Sequence, residues 1–208
     1  MARDVWALVH AERAALVADL ATVSDEQWET PSLCPGWSVH DVVAHLVDTA
    51  STTRLGFVLG LVRARFDFDA QNARGIERQR GATPAETLER LRSVVSRTST
   101  PPASLDTRLV EEVVHGEDIR RPLGISHKYA GEAVERALLL QARTSRSFGG
   151  AKELVALVSV VATDSDLRLG AGPEVRGTVL ALLLALSGRR DALTELDGPG
   201  VETLAAAL

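Results

Sequence analysis

The sequence predicts a mainly helical protein, in which a larger helical domain is followed by a small α+β domain. Up to about residue 150, apolar residues recur at the three- and four-residue spacing of amphipathic helices, and no strand signal is present. After a Gly149-Gly150 pair, a valine-rich run and several glycines introduce strand and turn signals. We therefore place the domains at residues 1–148 and 149–208.

The first two helices are predicted from their apolar stripes and start signals. Residues 3–22 carry apolar side chains largely along one stripe. Ser38 is the expected N-cap of the second helix, because Asp41 follows three residues later in a capping-box arrangement. This helix has the clearest amphipathic pattern in the chain: Val39, Val42, Val43, Leu46 and Val47.

Further helices complete the first domain. A third helix is predicted over about 55–78, apolar at first and charged later. The next begins at Thr83-Pro84, since proline is favoured at the first helical position, and Pro101-Pro102 ends its pattern. Two more are predicted, one with apolar positions from Leu105 to Val114 that stops near Arg121-Pro122, and one over residues 131–145.

The tail is predicted as a hairpin followed by helices. The valine-rich stretch from Leu154 to Ala162, a polar turn and Leu167–Gly170 favour two paired strands. Residues 170–177 are predicted as a loop, Val179–Leu186 as an apolar helix, and a short helix should follow Ser187-Gly188. Gly170-Ala171-Gly172 resembles the start of a dinucleotide fingerprint, but no second strand is predicted that would complete a βαβ unit.

Composition excludes several classes of protein. With 208 residues, 45% hydrophobic and 25% charged, the chain is typical of a globular protein. Its net charge of −5 argues against a general nucleic-acid binder. No apolar run approaches the roughly 20 residues of a membrane helix, and Arg3 and Asp4 argue against a signal peptide. A single cysteine, Cys34, favours a cytoplasmic location.

Three residues of the helical domain are candidate metal ligands. All five histidines lie in the first 127 residues, so imidazole chemistry is expected there. Glu111 and His115 are four residues apart and project from one face of a helix. Together with His45 of the second helix, they would form a His₂Glu site with an open coordination position, as in catalytic zinc centres.

The pattern alone leaves alternatives open. Glu111 and His115 would also be explained as a solvated ion pair, with His45 hydrogen-bonded to Asp41 or Asp48. Glu112 competes with Glu111 for the ligand role, and periodicity does not choose between them.

Cys34 and Trp37, which precede the second helix, each allow a functional and a structural interpretation. Cys34 precedes a helix start, where thiolates are stabilised, but we favour a buried packing cysteine. Trp37 could stack on a ligand, although a hydrophobic staple is the more usual role for an aromatic residue at that position.

Two stretches carry a family resemblance. Residues 31–46, PSLCPGWSVHDVVAHL, and residues 111–124, EEVVHGEDIRRPLG, resemble the mycothiol-dependent maleylpyruvate isomerase family. That family belongs to the DinB-like superfamily of four-helix bundles. Segments of the tail, at residues 162–166, 170–177 and 180–190, resemble its small C-terminal domain.

The resemblance implies a metal centre. A divalent metal, usually zinc, would be held by His45, Glu111 and His115, which favours Glu111 over Glu112. A small thiol such as mycothiol would enter the open position and attack a small electrophile, in isomerisation or S-transfer. His40 is a candidate base, with a capping or surface role as its alternative.

Two other functions remain as alternatives to a thiol-using enzyme. The chain could be a metal-dependent hydrolase that activates water without a thiol. It could also be a non-catalytic ligand-binding or regulatory module. The expected partners are a small thiol and an electrophile, not nucleic acid or a membrane, and the chain is expected to be a monomer or a homodimer.

Overall fold

The computed structural model describes residues 4–208, which divide into two compact units after Lys128. The predicted start of the first helix, at residue 3, lies outside the described residues. In the first unit the α-helices are α1 (Val5–Leu20), α2 (Val39–Ser51), α3 (Arg54–Arg63), α4 (Phe68–Gln79), α5 (Pro84–Val94) and α6 (Thr107–Arg120), with a 3₁₀ turn at Asp25–Glu29.

Helix α2 is the central element of this unit. Its predicted capping box is confirmed, since the Ser38 hydroxyl accepts from the Asp41 backbone N–H and the Ser38 backbone N–H donates to the Asp41 carboxylate. The helix packs against α4, α5 and α6, while α1 packs against α5 and α6. Its apolar stripe is buried in a core that also includes Leu16, Leu20, Trp28, Leu91 and Ile119.

The prediction of a single helix over about 55–78 is wrong, because the helix is interrupted between α3 and α4. Arg65 and Phe66 adopt left-handed backbone conformations, with φ of 56° and 66°, which residues other than glycine rarely adopt. Asp67 then caps α4 by accepting from the Ala70 N–H at 2.9 Å. No glycine or proline marks this break in the sequence, so the charged run appeared continuous.

The remaining helix starts follow their local signals. Thr83 caps α5 by accepting from the Glu86 N–H, with Pro84 at the first helical position as predicted. Helix α6 ends at Arg120, beside the predicted stop at Arg121-Pro122. Over the described residues, no helix is both long enough and apolar enough to cross a membrane.

The second unit runs from Tyr129 to Leu208 and combines helices with a small sheet. Its elements are α7 (Gly131–Arg143), α8 (Lys152–Val155), β1 (Ser159–Ala162), β2 (Arg168–Gly170), β3 (Glu174–Gly177), α9 (Val179–Leu186) and α10 (Val201–Ala207), with 3₁₀ turns at Arg146–Phe148 and Arg190–Glu195. Helix α7 packs against α8 and α9, so the compact units divide earlier than the boundary we predicted after residue 148.

The sheet has the order β2-β1-β3. The predicted hairpin exists as β1 and β2, which are antiparallel, but its proposed first residues form the short helix α8 instead. The predicted loop over residues 170–177 is partly wrong, because β3 pairs in parallel with β1. In β3, Val175 is flanked by a charged residue on each side and followed by Gly177, so the strand is too short to give an alternating pattern.

Candidate metal centre

The structure brings His45, Glu111 and His115 together where α2 packs against α6. His45 is 5% exposed in the middle of α2, and the other two residues project from consecutive turns of α6. Oε2 of Glu111 lies 3.3 Å from Nε2 of His45 and 3.7 Å from Nε2 of His115. The two imidazole rings meet edge to face, with centroids 4.9 Å apart.

These positions fit a divalent cation. Among the residues that the structure describes, Oε2 of Glu111 is buried and has no hydrogen-bond partner, although it faces two imidazole nitrogens. Two ligand atoms that each bind zinc at about 2.0 Å in tetrahedral geometry are about 3.3 Å apart. The separation between Glu111 and His45 matches that value, the one between Glu111 and His115 is 0.4 Å longer, and three protein ligands would leave a fourth position open.

The structure also bears on the alternative in which these residues form a solvated ion pair and His45 bonds to an aspartate. Glu111 and His115 are half-buried, not a solvated pair, and both face His45 on the neighbouring helix. The carboxylates of Asp41 and Asp48 form ion pairs with arginines, at Arg80 and Arg78 respectively.

The charges around the cluster favour an ionised carboxylate. Burial alone would raise the pKa of Glu111, but His45, Arg108 and His115 together hold it well below its ordinary value. Nη2 of Arg108 lies 3.8 Å from the other carboxylate oxygen. Burial lowers the pKa of His115, but Asp118, Cys34 and Glu111 outweigh it and raise that pKa to about 10. A cation at this site therefore competes with a proton on His115.

Glu112 points elsewhere and forms a buried ion pair. Its Oε1 lies 2.7 Å from Nε of Arg13 on α1, and both side chains are almost fully buried. Burial raises the pKa of Glu112 in spite of the arginine. The two adjacent glutamates thus differ in surroundings: Glu111 faces the histidines, whereas Glu112 joins α6 to α1.

Asp118 lies beside the cluster and was not among the residues predicted from the sequence. It is fully buried, and its Oδ2 lies 2.8 Å from Nδ1 of His115. The thiol of Cys34 donates to the same oxygen at 3.0 Å. The i, i+3 spacing of His115 and Asp118 on one helix is the signal that could have indicated this pair.

The interpretation of Cys34 as a packing cysteine is therefore incomplete. The residue does pack against the apolar core of the unit, as expected. Its thiol, however, is only half-buried and lies within hydrogen-bond distance of a carboxylate beside the cluster, with Sγ 3.6 Å from Nδ1 of His115.

Trp37 lies against the same cluster. Its ring centroid is 5.2 Å from that of His45, and the side chain also packs on the core. The indole thereby covers one side of the imidazole, and its role as a hydrophobic staple stays a prediction.

His40, the candidate base, lies in a different environment. A surface role is wrong, because the residue is only 2% exposed. Its Nε2 is 2.7 Å from Oγ1 of Thr87, and its Nδ1 is 3.4 Å from a carboxylate oxygen of Glu29. Burial is the main cause that lowers the pKa of His40. These contacts make it a link between α2 and α5.

Comparisons with known proteins give one family and two solved structures. Residues 9–120, which include all three cluster residues, match the family described as the mycothiol maleylpyruvate isomerase N-terminal domain. The crystal structure of a histidine-to-alanine mutant of the mycothiol-dependent maleylpyruvate isomerase is similar, with a TM-score of 0.68, 15% identity, and coverage of 94% of this chain and 91% of that one. A second crystal structure of the mycothiol-dependent maleylpyruvate isomerase has a TM-score of 0.64 and 15% identity, and covers 89% and 88%. The search of curated proteins gives no match.

Proposed function

The chain belongs to the mycothiol maleylpyruvate isomerase family, and from that premise we propose a metal-dependent, cytoplasmic enzyme that uses mycothiol or a similar small thiol. Its reaction would be the isomerisation of a small electrophile or the transfer of the thiol to it. The observation that carries this proposal is the cluster of buried His45 with half-buried Glu111 and His115, within the stretch that matches the family.

These three residues would hold the metal, and zinc suits two imidazole nitrogens and one carboxylate oxygen. When bound, such an ion lowers the pKa of an entering thiol, so that a thiolate is present at neutral pH. Glu111 contributes a carboxylate that its surroundings keep ionised. The ring of His45 lies between those of Trp37 and His115, with centroids 5.2 and 4.9 Å away.

The reaction follows from ordinary thiolate chemistry. Conjugate addition of a thiolate to an activated cis double bond leaves a single bond, about which the adduct rotates. Expulsion of the thiolate then gives the trans isomer, and the thiol is not consumed. In S-transfer the thiolate instead displaces a leaving group and stays in the product.

Metal content and thiol balance test the proposal together. We expect purified protein to retain about one divalent ion per chain and His45→Ala to lose it. With maleylpyruvate and mycothiol, we expect isomerisation without net thiol loss, whereas thiol loss on incubation with alkylating electrophiles would indicate S-transfer. Protein that binds no metal, with His45→Ala unchanged, would overturn the enzyme in favour of a ligand-binding module. Metal-dependent turnover of an ester or amide without thiol would indicate the hydrolase.

A further inference from the structure

A buried carboxylate lies directly behind one of the candidate ligands. Asp118 is 0% exposed, and an ionised carboxylate in such a place is costly unless it is paired and hydrogen-bonded. Its contacts include Nδ1 of His115 at 2.8 Å and the thiol of Cys34 at 3.0 Å, both on Oδ2. Its backbone carbonyl also accepts from the Leu33 N–H at 3.3 Å, which fixes the segment carrying the cysteine.

The contact of Asp118 determines which imidazole nitrogen is available to a cation. With Nδ1 of His115 at the Asp118 carboxylate, Nε2 is the nitrogen that faces Glu111, at 3.7 Å. A histidine binds metal through one nitrogen and commonly donates the proton on the other to a carboxylate, which sets both the tautomer and the ring orientation.

We propose that Asp118 is a positioning residue of the metal centre, which holds His115 as the tautomer protonated at Nδ1 and directs Nε2 to the ion. Cys34 assists by donating to the same carboxylate oxygen, and neither residue binds the ion itself. This proposal rests on the metal site of the proposed function.

The rival assignment makes Cys34, His115 and Asp118 a ligand set of their own, since their ligand atoms also lie within 4.8 Å of one another. The separations argue against it. Oδ2 of Asp118 lies only 2.8 Å from Nδ1 of His115, which is a hydrogen-bond distance. Atoms that share a tetrahedral zinc ion at about 2.0 Å are about 3.3 Å apart, which is the separation between Oε2 of Glu111 and Nε2 of His45.

The test compares zinc affinity in Asp118→Asn and Glu117→Gln by competition with a chromogenic chelator. Glu117 is the matched control, because it neighbours Asp118 on α6 and is also buried, but pairs with Arg121 at 2.7 Å. We expect Asp118→Asn to bind zinc about 10- to 100-fold more weakly and the control to stay near wild type. Cys34→Ala should give a smaller loss than Asp118→Asn.

Two spectroscopic measurements distinguish positioning from ligation. The cobalt-substituted wild type should lack a thiolate-to-metal charge-transfer band, and such a band, lost in Cys34→Ala, would overturn the proposal. Long-range ¹⁵N–¹H correlation spectra of the zinc-loaded wild type should show His115 protonated at Nδ1 and bound through Nε2. The opposite arrangement would overturn the proposal even if Asp118→Asn does not fold.

The outcome is separable from that of the proposed function. If wild type and Asp118→Asn bind zinc equally while His115→Ala does not, the role of Asp118 is overturned and the enzyme proposal stands. If Asp118→Asn shows the expected loss but no protein shows thiol-dependent turnover, the positioning role is supported and the enzyme proposal fails.

Discussion

Nε2 of His45 and Oε2 of Glu111 lie 3.3 Å apart, although one residue belongs to α2 and the other to α6. The contact exists because these two helices pack face to face within the first unit. An ion held there would bind to both helices and would stabilise the folded chain over the unfolded one.

Substitution of the two adjacent glutamates should have different effects on zinc affinity. Glu111→Gln removes the charged oxygen that faces both histidines, so we expect zinc affinity to fall by more than about 100-fold, beyond the range for residues that act through another ligand. Glu112→Gln should keep the metal, because that side chain pairs with Arg13. Metal analysis after gel filtration measures both, and equal losses would show that the ligand assignment is wrong.

Removing one partner of the ion pair between Arg13 and Glu112 should destabilise the protein much more than removing both. Arg13→Met leaves a buried carboxylate without its arginine, which is expected to lower the free energy of unfolding by about 3–5 kcal/mol. Replacing both residues, by Met and Leu, should recover most of that loss. Urea unfolding of Arg13→Met, Glu112→Leu and the double variant measures these changes, and a double variant no more stable than Arg13→Met would contradict a pairing role.

The cap of α2 should make stability depend on pH in acid. Burial raises the pKa of Asp41, but Ser38 and Arg80 outweigh it and lower that pKa below its usual 3.8. Its contribution is therefore complete above pH 3.8 and is lost as the pH falls through the lower value of the folded state. Asp41→Asn weakens the hydrogen bonds that the charged carboxylate accepts, so it should be less stable by about 1–2 kcal/mol at neutral pH, with a flatter stability curve below pH 4. Parallel curves for variant and wild type would refute this.

The hydroxyl of Thr87 should matter for folding rather than for metal. It accepts from the Gly81 N–H at 2.8 Å and lies 2.7 Å from Nε2 of His40, and the residue is fully buried. Thr87→Val removes this hydroxyl from the Gly81 N–H and from Nε2 of His40, so we expect a loss of about 1–3 kcal/mol in the free energy of unfolding. Zinc affinity, measured on the same folded variant, should not change. A large loss of zinc affinity in this variant would show that His40 influences metal binding.

The elements that were predicted from sequence depend on local signals. The capping box and stripe of α2 lie within a few residues of one another, and both are visible in the chain. The choice between Glu111 and Glu112 is different, because it depends on Arg13 of a distant helix and needed either the structure or the family resemblance. The break after α3 was missed because Arg65 and Phe66 adopt left-handed backbone without glycine.

Helix α3 is the element of the first unit that we expect to unfold locally most easily. Every residue of α3 is exposed or half-buried, and the chain turns sharply at Arg65 directly after it. Local unfolding of this helix exposes little buried apolar surface. Its amide hydrogens should therefore exchange with solvent before those of the core helices do. Brief trypsin treatment should cut at Arg63 or Arg65 first. The nicked protein should keep its zinc, because the cluster is held by α2 and α6.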